Sequence, residues 1–203
     1  MAALSEMGIS AAAHGKQLLA LGFTVDQVVH DYGDLCQAIT DEEVRAVSGA
    51  PARQRTFSVA AFVADAEQVA SLHASARGCS LVVSAVDPLL HAKGDRDLLM
   101  ASLVNLVHNA FKFTHAGTQV SLDVRSTQSA VYIEVEDHCG GLPPGSSEVM
   151  FLPFTQNGGD RSGLGFGLSI ARRHIEADGG ELTVRNLPGQ GCVFTMSLPL
   201  QSP

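Results

Sequence analysis

Asn105, Asn109 and Lys112 recur at i, i+4 and i+7 within an otherwise apolar stretch, a spacing that sets three polar groups in one stripe on a helix. An amide oxygen can ligate a hard cation without adding net charge, and a lysine ammonium can meet a phosphate as a point charge. A solvated helix face has the same spacing. A second candidate is Asp137, where the β-branched run Val131 to Glu136 breaks into His138-Cys139-Gly140-Gly141-Leu142-Pro143. An ionised carboxylate only accepts hydrogen bonds, so Asp137 suits an exocyclic amino group such as adenine's, and the glycines let a ligand approach the backbone. An ordinary strand-ending turn is the alternative. The third feature is Gly163-Leu164-Gly165-Phe166-Gly167-Leu168, which runs into an amphipathic stretch. Alternating glycines before a helix N-terminus free backbone amides to cradle an anion, although a merely flexible turn has the same composition. The spacing is neither G-x-G-x-x-G nor G-x-x-x-x-G-K-[ST], so the dinucleotide and P-loop readings both fail.

These groups need elements to hold them. Leu98, Leu99, Leu103, Leu106, Val107, Ala110 and Phe111 supply the apolar side of a helix from Arg96 to Phe113, and a second helix is expected from Leu168 to Asp178. Ser58 can cap a further helix carrying Val59, Phe62, Val63 and Val69, which Gly78 can close. Five strands are expected at Cys79–Val86, Thr118–Val124, Ala130–Glu136, Glu181–Val184 and Cys192–Leu198. Their order gives an α/β (α+β) fold, a two-layer sandwich of a mixed five-stranded sheet with helices on one face. Upstream, the Thr24 and Gln27 capping box opens an amphipathic helix, and composition shifts near Ser48-Gly49-Ala50-Pro51. The division is therefore a helical segment at 1–50 and a larger domain at 51–203.

The chain has 203 residues, 45% of them hydrophobic and 17% charged, which is enough for a self-sufficient core and excludes disorder for most of it. A net charge of −8 repels phosphate backbones and argues against a nucleic-acid partner. No apolar run is long enough for a membrane span and no signal peptide opens the chain, so a cytoplasmic location is expected. Cys36, Cys79, Cys139 and Cys192 form no C-x-x-C pair, and reduced, dispersed thiols are expected. No H-E-x-x-H occurs among the eight histidines, which removes the zinc-hydrolase reading.

Taken in order, the three features resemble the ATP-binding catalytic domain of two-component sensor histidine kinases, members of the gyrase, chaperone, kinase and mismatch-repair ATPase superfamily. Asn105 to Thr114 matches the asparagine box, Asp137 to Pro143 the first glycine box, Phe151-Leu152-Pro153-Phe154 the phenylalanine box and Gly163 to Leu168 the second glycine box. The resemblance implies a Bergerat-type fold that binds ATP and Mg²⁺. It implies that Asn109 ligates the metal, Asn105 supports the metal and phosphate site, Lys112 meets phosphate and Asp137 holds the adenine amino group. Phe113 would line the base pocket, Gly141 would let the base approach, and Gly163, Gly165 and Gly167, followed by Leu168, would form the mobile lid. The chain departs from the family pattern at Cys139, where the first glycine box carries glycine, and the lid from Thr155 to Ser162 is short.

The resemblance further implies phosphorelay signalling to a response regulator receiver domain, and a homodimer through the N-terminal helix. Histidine kinases carry an H-E-L-R-type phosphoacceptor box, which does not occur here; His30-Asp31 is the single His followed by an acid, and His30 is the phosphoacceptor candidate. Glu42 to Gly49 looks like the end of a second dimerisation helix, so the segment 1–50 is expected to be a shortened dimerisation region. Two rivals stand beside the kinase: a nucleotide-binding regulatory module without autokinase activity, and a serine kinase or ATPase of the same superfamily. The ATP-hydrolysing members place Glu where this chain has Asn105, and an amide cannot act as general base for water.

Overall fold

The computed structural model describes residues 54–152, 155 and 167–200. His30, the segment 1–50 with its boundary, and Gly163 and Gly165 lie outside those residues. In chain order the elements are β1 (Arg55–Ser58), α1 (Val59–Arg77), β2 (Ser80–Val83), β3 (His91–Gly94), α2 (Arg96–Phe113) and β4 (Gln119–Ser126). They continue with β5 (Ala130–Glu136), the short α3 (Ser146–Val149), α4 (Gly167–Ala177), β6 (Glu181–Leu187) and β7 (Gly191–Pro199).

Local chemistry sets the helix ends. The Ser58 hydroxyl accepts the Ala61 N–H at 3.4 Å to open α1. Gly78, at φ 65°, closes it in the left-handed region that glycine enters without penalty. α2 begins after Asp95, whose Oδ1 accepts the Leu98 N–H at 3.4 Å. Asp95 is itself placed by its own N–H, which donates to Asp178 Oδ2 at 2.7 Å. The start of α2 is thus tied to the residue following α4.

The main sheet runs β2-β4-β5-β7-β6, with β2 and β4 parallel and every other neighbouring pair antiparallel. This is the expected mixed sheet. β1 and β3 add a two-stranded ribbon with Arg55 opposite Gly94, a pairing too short to leave an alternating pattern in the sequence. Along the sheet every second residue faces the helices: Val120 and Leu122 of β4, Val131, Ile133 and Val135 of β5, and Phe194, Met196 and Leu198 of β7 are buried. Leu99, Leu103, Leu106, Val107, Ala110 and Phe111 of α2 join them in the same core, and α1 and α4 pack on either side of α2. The opposite face is polar. There the Arg125 guanidinium stacks 4.1 Å from the Tyr132 ring and pairs with Glu134 at 2.9 Å. Among the described residues no helix is long and apolar enough to cross a membrane.

The expectation of dispersed thiols is corrected at one place. Cys139 and Cys192 lie with their sulfurs 3.4 Å apart, brought together by the pairing of β5 with β7. Neither is bridged, and Cys79 is also a free thiol.

Candidate functional site

α2 buries its apolar side and leaves Asn105, Asn109 and Lys112 half-buried along one edge, so the polar stripe read from the sequence is an edge of the core helix. Asn105 meets a second element there. Gly167, the first residue of α4, lies so close to it that an added Cβ would stand 2.6 Å from Asn105 Oδ1 and 2.8 Å from Nδ2. The asparagine box and the last glycine of the second glycine box are therefore in direct contact. Leu168, one residue on, packs its half-buried side chain against the core and fixes the start of α4. Lys112 holds its ammonium 5.3 Å from the centre of the Phe113 ring, and Phe113 is 39% exposed at the helix end.

Asp137 follows directly on β5 and is only 3% exposed. Its N–H donates to the Cys192 carbonyl at 3.0 Å, which carries the β5–β7 ladder one residue further. Two donors converge on a single carboxylate oxygen: the N–H groups of Cys139 and Cys192 each reach Asp137 Oδ1 at 3.0 Å. Burying a carboxylate without such donors would be costly. Gly191 makes the approach of β7 possible, because a Cβ there would stand 1.8 Å from the Asp137 carbonyl oxygen.

A hydroxyl network connects this turn to the end of α2. The Thr118 hydroxyl donates to the His115 carbonyl at 2.6 Å, so the 2.9 Å contact between the two threonines is donated by Thr114. Thr114 Oγ1 then accepts the His138 N–H at 2.9 Å, and His115 N–H donates to the His138 carbonyl at 3.1 Å. The asparagine-box helix and the Asp137 turn are held together by Thr114.

Gly140 and Gly141 both take positive φ, 85° and 95°, so the turn needs glycine at these positions and takes Cys139 in the place before them. A Cβ on Gly141 would meet Asn186 Oδ1 at 3.0 Å and the Leu187 carbonyl at 3.1 Å, which places its missing side chain against the β6–β7 corner. Asn186 secures that corner, accepting the Leu142 N–H at 2.8 Å and donating to the Leu142 carbonyl at 3.2 Å. Burial, followed by the hydrogen bond and charge of Asp137, pushes the Cys139 thiol above its ordinary value of 9.0. Burial also pushes Cys192 well up, with Cys139 and the Asp137 charge adding to it. Phe151 of the phenylalanine box is buried beneath Arg172, whose guanidinium lies 5.3 Å from its ring centre. No individual role for Gly191, Asn186 or Thr114 was read from the sequence. Each acts through a partner at least 24 residues away, as in the pair of Thr114 and His138, and such a distance leaves no local pattern.

Residues 94–202 match the family model described as histidine kinase-, DNA gyrase B-, and HSP90-like ATPase. The chain is 36% identical over 125 residues to the alginate biosynthesis sensor protein KinB of Pseudomonas aeruginosa, covering 62% of this chain and 21% of KinB. It is 30% identical over 178 residues to the sensor histidine kinase ZraS of Salmonella typhimurium, covering 86% of this chain and 37% of ZraS. The chain thus spans well under two thirds of the length of either relative. Among solved structures, the catalytic domain of histidine kinase ThkA aligns with a TM-score of 0.65 at 22% identity, over 72% of this chain and 97% of that domain. Full-length ShkA in complex with AMPPNP aligns with a TM-score of 0.68 at 27% identity, over 89% of this chain and 40% of ShkA.

Proposed function

The chain belongs to the histidine kinase-, DNA gyrase B- and HSP90-like ATPase family, and from that premise we propose that it is the ATP-binding catalytic domain of a two-component sensor histidine kinase. One observation carries the reading. Both backbone donors at Asp137 converge on Oδ1, which supports Oδ2 of this buried carboxylate as the acceptor for the exocyclic amino group of adenine. The likeness to ShkA, which was solved with AMPPNP, supports an adenine nucleotide as the ligand.

In this reading Asp137 selects the base and the turn at Gly140 and Gly141 shapes the floor beneath it. Phe113 flanks the ring, and Lys112 meets phosphate oxygens as a point charge. The N-terminus of α4, opened by Gly167, aims backbone amides and the positive end of the helix dipole at the phosphates. By the resemblance, Gly163 and Gly165 would belong to a nucleotide lid. The amide oxygen of Asn109 is a hard, neutral donor of the kind Mg²⁺ takes, while Asn105 supports the metal and phosphate site, its amide kept at the mouth of α4 by the space left by the absent Gly167 side chain. When bound, Mg²⁺ would neutralise charge on the β- and γ-phosphates. Positioning supplies most of the catalysis in phosphoryl transfer, and Asn105 cannot activate water as a carboxylate could, so transfer to a protein imidazole is favoured over hydrolysis.

His30 is the acceptor candidate within this chain, and the N-terminal helix the candidate dimer contact. A response regulator receiver domain on the cytoplasmic side would take the phosphoryl group onward. A second reading, a nucleotide-binding regulatory module, is favoured by the sequence around His30, which does not match a phosphoacceptor box. Incubation with γ-labelled ATP separates the two. The chain alone is expected to bind Mg-ATP and to carry little acid-labile label. A base-stable label near stoichiometric level that vanishes in His30→Gln would make His30 the phosphoacceptor, whereas absence of nucleotide binding would overturn both readings.

A further inference from the structure

Cys139 and Cys192 occupy positions that meet only because of strand register. Glu136 faces Val193 across β5 and β7, and Asp137 continues the ladder opposite Cys192. The turn then folds back over the start of β7, where the Gly140 N–H donates to the Gln190 carbonyl at 3.0 Å. The two sulfurs end 3.4 Å apart, and a carboxylate oxygen of Asp137 and both sulfurs lie within 4.8 Å of one another. Cys192 is 1% exposed and Cys139 half-buried, so a reagent in solution meets Cys139 first. Asp137 Oδ1 is held by the backbone N–H groups of these same two cysteines.

We propose that Cys139 and Cys192 form a reversible dithiol–disulfide pair, oxidised by a low-molecular-weight disulfide of the glutathione class, and that closing the bond displaces Asp137 and weakens adenine-nucleotide binding. The bond itself is independent of the function proposed above; its effect on nucleotide rests on that reading of Asp137.

The exchange balances in two steps. Cys139 gives up its proton, and the thiolate attacks one sulfur of the reagent, RSSR. The RSSR bond breaks, one RS⁻ leaves and takes up a proton, and Cys139 is left in a mixed disulfide. Cys192 then gives up its proton and attacks Cys139 Sγ; the mixed bond breaks and a second RSH departs. The two protein thiols have lost two electrons and two protons, and RSSR has gained both as 2 RSH. A disulfide bond is about 2.05 Å long, so the sulfurs must approach by roughly 1.4 Å, starting from positions already in contact. That movement draws the Cys139 turn toward β7 and disturbs the paired 3.0 Å hydrogen bonds that orient Asp137. Burial and the Asp137 charge disfavour both thiolates, so the exchange is slow at neutral pH and the pair responds to sustained oxidising conditions.

The test uses the unaltered chain, equilibrated over a range of oxidised-to-reduced glutathione ratios and quenched with an alkylating reagent. Peptide mass spectrometry reads the bond, and calorimetry with ADP reads the site. The expected result is a cross-linked Cys139–Cys192 peptide pair with loss of ADP affinity by about tenfold or more, restored by dithiothreitol. Two free thiols, or Cys139 carrying glutathione with no cross-link, at the most oxidising ratio would overturn the proposal. A cross-link with unchanged ADP affinity would overturn its second half. If the reduced chain binds no ADP, the nucleotide reading fails while the peptide measurement still decides the bond.

Discussion

Gly167 lies against the side-chain amide of Asn105, leaving no space for a β-carbon: one placed there would stand 2.6 Å from Oδ1 and 3.0 Å from Cγ. The contact couples the first residue of α4 to the polar edge of α2. Gly167→Ala should therefore turn the Asn105 amide away while leaving the helix intact, since alanine exceeds glycine in helix propensity by about 1 kcal/mol. We expect thermal unfolding within a few degrees of the natural chain, and Mg-ATP affinity lowered about tenfold with adenosine binding retained. Unchanged Mg-ATP affinity by calorimetry would remove Asn105 from the phosphate site.

Asn109 lies one turn further along the same edge of α2, half-buried, where truncation leaves the core untouched. Asn109→Ala should reduce the Mg²⁺-dependent part of ATP affinity and leave adenosine binding as it was, because an amide oxygen serves a cation and not the base. Titrations of both ligands with and without Mg²⁺ check this. Equal weakening of the two would mean that the residue acts through the fold.

Asp137 offers a sharper separation of roles. Asp137→Asn keeps an oxygen for the N–H groups of Cys139 and Cys192 but replaces the other oxygen with a donor, so the fold should persist while ADP affinity drops about tenfold to hundredfold. Asp137→Ala removes both acceptors. An orphaned buried donor costs about 1–3 kcal/mol, so this variant should also lose stability in denaturant unfolding. If Asn destabilises as much as Ala, the carboxylate is structural first.

Much of this arrangement was legible from the chain, for physical reasons that differ between elements. α2 was readable from Arg96 to Phe113 because its apolar positions hold a helical period over its full length, and β5 because Ala130 to Glu136 alternates without interruption. Asp137, Asn105 and Asn109 stood out through residue type at element edges. The β1–β3 ribbon did not, since four-residue strands such as Arg55–Ser58 and His91–Gly94 carry too few alternations to show. The meeting of Cys139 with Cys192 depends on register between strands, which no local pattern encodes. The same holds for Gly191, whose need for glycine comes entirely from the Asp137 carbonyl.

The thiols make a statement about pH. Both are held above the ordinary 9.0 in the folded chain, so the folded state keeps their protons where the unfolded chain releases them. Their contribution is fully present below pH 9 and is lost as pH rises from the unfolded value toward the folded ones. Each thiol should then lower the unfolding free energy by up to about 1.4 kcal/mol per pH unit in that window. Denaturant unfolding between pH 8 and 10.5 under reducing conditions checks it. A slope unaltered by Cys139→Ser would show that Cys139 contributes nothing to the decline.

Gly189 and Gly191 sit two residues apart at the β6–β7 corner and should respond to alanine in different ways. Gly189 has φ 77° and nothing within 4 Å of an added Cβ, so Ala there costs backbone strain, about 1–2 kcal/mol, and sets no new atom against the Asp137 turn, to which its N–H is bonded through the Gly140 carbonyl at 3.0 Å. Gly191 is buried, and its added carbon would stand 1.8 Å from the Asp137 carbonyl oxygen and 3.0 Å from Oδ1. Backbone atoms cannot rotate away as a long side chain can, so β7 and the Asp137 turn must separate, at a cost of about 1–3 kcal/mol or more. The separation moves the carboxylate together with the Cys192 N–H that holds it. Gly191→Ala should therefore lose ADP affinity out of proportion to its stability, whereas Gly189→Ala should lose stability and keep its affinity. Measuring both quantities on both variants decides the matter, and equal loss of ADP affinity in the two would show that the corner acts on the site only through general stability.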